Sequence, residues 1–158
     1  EKKCVILLSN CANESGYELF ENIMKIYRGG TWEKPRKLIA DTLYTVMQKS
    51  SVADAIRVYK NLKKTDSTAF DYSSSALEWL GERLLLFKDY EAATAIFKLA
   101  TEVNPDYAYG YFYLGHVYEK WGKLPEAIEA YQMAVTKDKN ARSGIDAAFQ
   151  LQYLKSQK

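Results

Sequence analysis

Apolar residues recur every three or four positions along most of the chain, which is the pattern of amphipathic helices rather than of strands. The pattern breaks at short polar turns and then returns with a fixed spacing. Leu80 and Gly81 come back 34 residues later as Leu114 and Gly115. A self-similarity of this length is typical of stacked helical hairpins, each too small to bury its own apolar face.

Two regular hairpins are predicted at 74–107 and 108–141, with Pro105 ending one helix and favouring the start of the next. A third, less regular hairpin is predicted at 36–63, because the run from Ala55 to Tyr59 matches the run from Ala127 to Tyr131 of the second regular hairpin. The sequence therefore predicts a mainly α-helical chain of about three hairpins.

The segments around the hairpins carry further signals. The polar stretch from Lys60 to Asp71 indicates a flexible connection, and Ser75 with Glu78 forms a capping box at the start of the next helix. Residues 142–158 are predicted to form a capping helix with its apolar face turned inward. That inward face comprises Ile145, Ala148, Phe149, Leu151 and Leu154.

The N-terminal residues do not follow the repeat. The run from Cys4 to Leu8 is typical of a buried strand, and the helix behind the capping box at Ser15 is predicted to end at Arg28, before two glycines. One strand and one helix cannot bury this much apolar surface alone. We therefore expect two units: a strand–helix remnant of a larger domain at 1–30, and the helical repeats with their capping helix at 31–158.

Composition narrows the possible functions. The 22 Lys and Arg residues nearly balance 20 Asp and Glu residues, so the net charge of +2 gives no indication of a nucleic-acid partner. No apolar run reaches the roughly 20 residues of a membrane-spanning helix. A single His, and Cys4 and Cys11 without a Cys-x-x-Cys pattern, exclude a standard zinc site. We expect no cofactor and no metal.

The repeated positions resemble the signature of the tetratricopeptide (TPR) repeat. The first regular hairpin departs from the signature at Lys88, where the family favours Gly in the turn. The resemblance implies a right-handed helical solenoid that binds other proteins rather than catalysing a reaction. The second regular hairpin carries the signature at Tyr111, Leu114, Gly115, Tyr118, Gly122, Ala127, Tyr131 and Ala134.

In the TPR register, the first helix of each hairpin lines a concave groove. TPR modules that clamp a peptide carboxylate place Lys, Arg and Asn at such positions, and none occurs here. Aromatic residues are favoured at binding hot spots, although several of these side chains could simply pack against the next helix. The groove positions are Ser75, Glu78, Trp79, Glu82, Tyr109, Phe112, Tyr113 and His116. The first candidates for binding are Trp79, Glu82, Tyr109, Phe112, Tyr113 and His116.

His116 has a neighbouring carboxylate at Glu119, and such a pair can act in general base catalysis. No nucleophile or orienting carboxylate is evident in the sequence. We therefore interpret His116 as a side chain that lines the groove, and we expect no catalytic residue in this chain.

Residues 1–28 resemble the last strand and helix of serine β-lactamase and penicillin-binding-protein-like hydrolases, in which an apolar strand ends in Leu-Thr/Ser-Asn. Here Leu8, Ser9 and Asn10 match that ending. The motifs Ser-x-x-Lys, Lys-Thr-Gly and His-x-Gly of that family are missing from the chain. Tyr59, Lys60 and Asn61 match its Tyr-x-Asn by chance, since they fall on a repeat helix. The resemblance implies a bacterial periplasmic or cell-envelope location.

Three functions remain open. The chain is predicted to be a protein–protein interaction module that binds a protein, a peptide or its own upstream hydrolase domain. Alternatively, the biological activity is that of a parent serine hydrolase or peptidase. A third possibility is a free-standing adaptor or a self-association module, in which the unpaired edge at Cys4–Leu8 pairs with a second copy.

Overall fold

The computed structural model describes Phe20, residues 23–31 and residues 37–156. The predicted strand Cys4–Leu8, Cys11 and the capping box at Ser15 lie outside these residues, as does most of the 1–28 segment that resembles the hydrolases. Residues 23–27 are helical. The helix ends as predicted at Arg28, after which Gly29 adopts a φ of +84° and the Gly30 N–H donates to the Lys25 carbonyl at 2.9 Å.

Helices dominate the described residues. Three antiparallel hairpins, α1/α2, α3/α4 and α5/α6, stack on one another along the chain, and α7 packs against α6 and α5. The prediction of a mainly α-helical solenoid is confirmed. The elements of residues 37–156 are β1 (Lys37–Leu38), α1 (Ile39–Lys49), α2 (Val52–Thr65), β2 (Phe70–Asp71), α3 (Ser74–Leu86), α4 (Tyr90–Val103), α5 (Ala108–Lys120), α6 (Leu124–Lys137) and α7 (Arg142–Ser156).

The helices of each regular hairpin cross at a glycine. A Cβ atom at Gly81 would lie 2.5 Å from Cζ of Phe97, and one at Gly115 would lie 2.6 Å from Cδ1 of Tyr131. Real Cβ atoms do not approach other atoms so closely. The two glycines thus let the large rings of α4 and α6 reach full burial, and Phe97 and Tyr131 are both completely inaccessible to solvent.

The predicted flexible connection at Lys60–Asp71 is wrong. Lys60 lies within α2, which continues to Thr65, and the chain then turns at Asp66, whose side chain accepts the Ala69 N–H at 3.1 Å. Phe70–Asp71 forms a short parallel pair with β1. The helix holds the beginning of the segment and this pairing holds its end. The pairing also delays the start of α1 to Ile39.

Two helix starts follow capping serines. Ser51 accepts the Asp54 N–H at 3.1 Å and caps α2. The predicted capping box at Ser75 is wrong, because Ser73 is the residue that accepts the Ala76 N–H and caps α3. Asp71 accepts both the N–H and the hydroxyl of Ser73, so it holds this serine in the capping position.

The capping helix is present as α7, but its inward face is rotated from the predicted one. Leu154 is buried and Leu151 half-buried as expected, whereas Ala148 is exposed, Ile145 is 56% exposed and Phe149 is 70% exposed. Small residues take their place, since a Cβ at Gly144 would fall 1.8 Å from the Asp138 carbonyl oxygen. Close approach to the preceding turn and to α6 decides the rotation. The fully buried residues of α7 other than Leu154 are Ser143, Gly144 and Ala147.

Candidate functional site

Tyr113 of α5 is fixed against the preceding hairpin. Its ring stacks on Phe97 of α4, with centroids 5.2 Å apart and planes 6° apart. Phe112 contacts the other side of the helix, with its centroid 5.9 Å from that of the buried Tyr131. Both side chains are half-buried. The aromatic residues of α5 are therefore held in place by the core and still reach the surface.

A row of three tyrosines lies where α5 begins. The centroid of Tyr109 is 6.0 Å from that of Tyr107 and 6.5 Å from that of Tyr113. Tyr107 precedes the first residue of α5, so it is not among the groove positions predicted on the first helices. Tyr107 is the last residue of the preceding repeat, 74–107. That position, directly before the first helix of the next repeat, is the sequence signal that could have identified it.

Carboxylates of α3 face this row. The Tyr107 hydroxyl donates a hydrogen bond to Oε2 of Glu78. Burial is the main cause that raises the pKa of Tyr113, and a hydrogen bond to Glu82 is the second. Burial and the bond to Glu78 likewise raise the pKa of Tyr107. Both phenols thus remain protonated at neutral pH.

His116 lies one turn further along α5, with its ring centroid 6.3 Å from that of Phe112. Burial lowers the pKa of His116, although the charges of Glu119 and Glu82 oppose this shift. The Glu119 carboxylate accepts the Tyr131 hydroxyl at 2.7 Å. Glu119 therefore has a structural role in anchoring α6 to α5, a role that the sequence pairing with His116 did not predict.

Trp79 has different neighbours. The guanidinium of Arg83, one turn along α3, lies 5.4 Å from the Trp79 ring centroid and 4.5 Å from that of Tyr44 on α1. Trp79 itself is 37% exposed. Several groove positions thus join other residues in two clusters. One is a tyrosine–carboxylate cluster (Glu78, Glu82, Tyr107, Tyr109 and Tyr113), and the other is a cationic–aromatic cluster (Tyr44, Trp79 and Arg83).

Two of the depressions formed by described residues lie away from the groove positions. One of about 350 Å³ lies between α2 and α4, lined by Tyr59, three lysines and Glu102. Another of about 300 Å³ includes Gln48, Asp89 and Glu91. Neither contains a groove position. Among the described residues, no group of His, Cys, Asp and Glu side chains is arranged to hold a metal ion. None of the described helices has the length and apolar character of a membrane-spanning helix.

Comparison with known families identifies one hairpin directly. Residues 108–140, which cover α5 and α6, match the family described as "Tetratricopeptide repeat". This hairpin is similar to a single TPR unit. The 34-residue register extends the same geometry to α3/α4, and solved TPR structures match the chain over most of its length. The chain therefore has the fold of a TPR-like helical solenoid. No curated protein matches the sequence.

Several solved structures are similar to the chain at low sequence identity. MamA from Desulfovibrio magneticus RS-1 is 19% identical with a TM-score of 0.50, and the match covers 92% of this chain and 86% of that one. The type III secretion translocator chaperone SycD of Yersinia enterocolitica is 17% identical with a TM-score of 0.51, over 73% and 86%. The second TPR domain of human RPAP3 is 17% identical with a TM-score of 0.50, over 75% and 92%.

Proposed function

We propose that the chain is a protein–protein interaction module that binds a peptide or a helix of a partner along α3 and α5. The observation that carries this proposal is the series of half-buried aromatic side chains on α5, formed by Tyr109, Phe112 and Tyr113. Aromatic rings of this kind dominate the energy of many interfaces, because they desolvate a large area and lose little conformational entropy.

The packing of these rings favours binding. Tyr113 stacks on Phe97, and Phe112 contacts Tyr131, so both rings are ordered before a partner arrives. Binding to a preorganised surface avoids part of the entropy cost of association. The TPR fold supports the same interpretation, since solenoid repeats build extended binding surfaces. We therefore infer that this chain has a binding role and no catalytic one.

The similar structures support peptide recognition as a class. The RPAP3 domain was solved in complex with an HSP70 peptide, SGPTIEEVD. SycD is a chaperone of secretion translocators. We do not propose the same acidic peptide for this chain, because its groove positions carry no Lys, Arg or Asn, whereas Glu78 and Glu82 lie among them.

A peptide library displayed on phage would test the proposal. We expect the chain to enrich peptides whose binding is at least about tenfold weaker for the double variant Trp79→Ala/Tyr109→Ala, which is a loss of about 1.4 kcal/mol. The matched control is Trp121→Ala, since Trp121 is 36% exposed but lies in the turn between α5 and α6. Circular dichroism must show equal helicity. Enriched peptides that bind the double variant undiminished would contradict the assignment.

The parent-hydrolase interpretation and the dimer through Cys4–Leu8 remain predictions, since both depend on residues outside the described ranges. The family match is to a repeat, and the comparisons give the hydrolase no support. Hydrolysis of a chromogenic β-lactam by this chain would contradict the proposal that it is a binding module. A dimer that is lost on deletion of residues 1–12 would support self-association instead.

A further inference from the structure

We propose that α7 pairs with the α7 of a second copy of the chain, in an antiparallel contact centred on Phe149. The contact uses a surface away from the tyrosine–carboxylate cluster and does not depend on the proposed function. Its basis is a stripe of large side chains spaced four residues apart along α7. Ile145 is 56% exposed, Phe149 is 70% exposed and Tyr153 is 50% exposed.

The helix α7 has the place of a first helix in a further hairpin. It packs against α6 and α5, as α5 packs against α4 and α3. The 34-residue register supports this equivalence, because Gly144 of α7 corresponds to Gly110 of α5. A Cβ at Gly110 would lie 3.0 Å from Thr101 of α4, and one at Gly144 would fall on the Asp138 carbonyl at the end of α6. Both glycines thus let a first helix approach the helix before it.

The face that a second helix covers in the regular hairpins is exposed on α7. In α5, Gly115 is buried under the ring of Tyr131 on α6, and Leu114 beside it is buried as well. At the corresponding positions of α7 lie Phe149 and Ala148, and both are exposed. The face of α7 that continues the packing of the hairpins is therefore accessible to another helix.

The residue at the crossing position restricts which helix fits this face. In the regular hairpins the second helix brings a large ring to the crossing, and a glycine of the first helix makes room for it. Phe149 fills that room with a ring of its own. Because packed interiors do not accommodate two rings in the space of one, the close crossing of a regular second helix is excluded here. The covering helix must instead pack against the Phe149 ring.

The stripe on α7 is complementary to itself. Ile145 and Tyr153 lie four residues before and four residues after Phe149. A two-fold axis at Phe149 therefore places the two Phe149 rings against each other and Ile145 of each copy beside Tyr153 of the other. Such a symmetric contact uses the same patch on both copies, as in most protein dimers. Contacts between aromatic rings add to the gain from burying apolar area.

The polar residues around the stripe are compatible with this contact. Ala148 and Gln152, which lie beside the stripe, are uncharged and exposed. Arg142 and Asp146, nearer the start of α7, form an ion pair at 3.6 Å within the helix. In the antiparallel arrangement this pair comes opposite Ser156 and Gln152 of the second copy, which carry no charge. The contact therefore buries apolar side chains without setting these charges against like ones.

Sedimentation equilibrium over a range of protein concentrations tests the inference. We expect a dimer whose dissociation constant rises at least about tenfold in Phe149→Asp, a loss of about 1.4 kcal/mol. The matched control is Phe87→Asp, which should leave the dimer unchanged, since Phe87 is 63% exposed but follows α3 in the turn before α4. Circular dichroism must show equal helicity. If Phe149→Asp loses helicity, Phe149→Gln replaces it.

Cross-linking tests the position of the two-fold axis. The variants are made in a chain that carries Cys4→Ser and Cys11→Ser, so that the introduced cysteine is the only one. Under mild oxidation we expect Phe149→Cys to form a disulfide-linked dimer more rapidly than Phe87→Cys, because the axis brings the two Cβ atoms at position 149 close together. Equal rates for the two variants would contradict the proposed axis.

Other results would also overturn the inference. A chain that stays monomeric at every concentration would exclude a second copy on this face. A dimer that tolerates Phe149→Asp but is lost on deletion of residues 1–12 would assign the contact to the N-terminal segment. A dimer weakened equally by Phe149→Asp and Phe87→Asp would indicate non-specific association of exposed apolar residues. In each case the proposed binding along α3 and α5 would still stand.

Discussion

The two regular hairpins solve the same packing problem with different residues. In α3/α4 the buried ring opposite the crossing glycine is Phe97, whereas in α5/α6 it is Tyr131. The hydroxyl of Tyr131 is satisfied by Glu119 at 2.7 Å. The position equivalent to Glu119 in the first hairpin is Leu85, which packs in the same apolar cluster as Phe97. A polar pair and an apolar pair thus occupy equivalent places.

The turns of the two hairpins have the same backbone geometry but different residues at the position with positive φ. Lys88 has a φ of +62°, and its counterpart Gly122 has a φ of +80°. The hydrogen bonds are also equivalent, since Asp89 donates to the Leu84 carbonyl at 3.0 Å and Lys123 donates to that of Tyr118 at 2.8 Å. The backbone geometry is therefore kept even where the residue is unfavourable for it. The fold tolerates Lys88 at a cost in free energy.

The largest effect is expected from removing the buried rings. Phe97→Ala and Tyr131→Ala should each lower the free energy of unfolding by about 3–5 kcal/mol, because each leaves a cavity beside a glycine that cannot fill it. Urea unfolding followed by circular dichroism measures the change. The exposed Tyr153→Ala on α7 is the control and should have little effect. A loss below about 1 kcal/mol at either ring would contradict the packing described.

Adding a methyl group at the crossings should have the next largest effect. Gly81→Ala and Gly115→Ala place Cβ atoms within 2.5 and 2.6 Å of ring atoms, so each should cost about 1–3 kcal/mol of unfolding free energy. Thermal unfolding of the wild type and the two variants measures this loss of stability. Equal stability of the wild type and both variants would mean that the helices do not cross as closely as described.

The polar pair can be converted into the apolar one. Tyr131→Phe removes the hydrogen bond to Glu119 and should cost about 1–2 kcal/mol, since bonds to charged groups are the stronger ones. Tyr131→Phe/Glu119→Leu copies the first hairpin and should recover most of that loss. A complete double-mutant cycle measures the coupling. Additive effects of the two substitutions would contradict a specific pair.

Alkaline pH should affect the two hairpins unequally. Burial and the bond to Glu119 raise the pKa of Tyr131 in the folded state, while the phenol of an unfolded chain has an ordinary pKa of about 10. Its contribution to stability is therefore complete below pH 10 and is lost as the pH rises above that value. Tyr131→Phe should show a shallower alkaline decline in a series of urea titrations. An identical decline would show that Tyr131 titrates normally in the folded protein.

The smallest expected effect lies in the turn. Lys88→Gly should raise the unfolding free energy by about 0.5–1 kcal/mol, because glycine adopts a positive φ without a steric penalty. Lys88→Ala is the matched control and should give no gain, since it removes the charge but keeps a Cβ. Hydrogen exchange of α3 and α4 amides would show whether the gain is local. A gain from Lys88→Ala as large as that from Lys88→Gly would assign the effect to charge.

Periodicity predicted the hairpins well, because each repeat buries the same register positions and local patterns decide helices. Other features depend on contacts that no local pattern contains. Ser73, Ser74 and Ser75 can all cap a helix, and the bonds from Asp71 select the first. The strand pair joins Leu38 to Asp71 across 33 positions of the chain and has only two residues a side.

The candidate site was only partly predictable for the same reason. The register pointed to Tyr109, Phe112 and Tyr113 on the first helix of a hairpin. It could not reveal that Tyr107 completes the row through its bond to Glu78, since that contact joins two repeats. Nor could it separate Trp79 from the tyrosines, because the separation arises from the position of Arg83 over Tyr44.

The measurement that most directly tests the account is amide chemical-shift mapping of the protein with a peptide selected from the library. If the peptide binds along the first helices of the hairpins, the largest amide chemical-shift changes should occur in α3 and α5. They should be centred on Glu82, Tyr109 and Tyr113. The amides of α4 and α6 should change little beyond the residues that contact these rings. Shifts concentrated on α6 or on the exposed face of α7 would contradict the proposed binding surface.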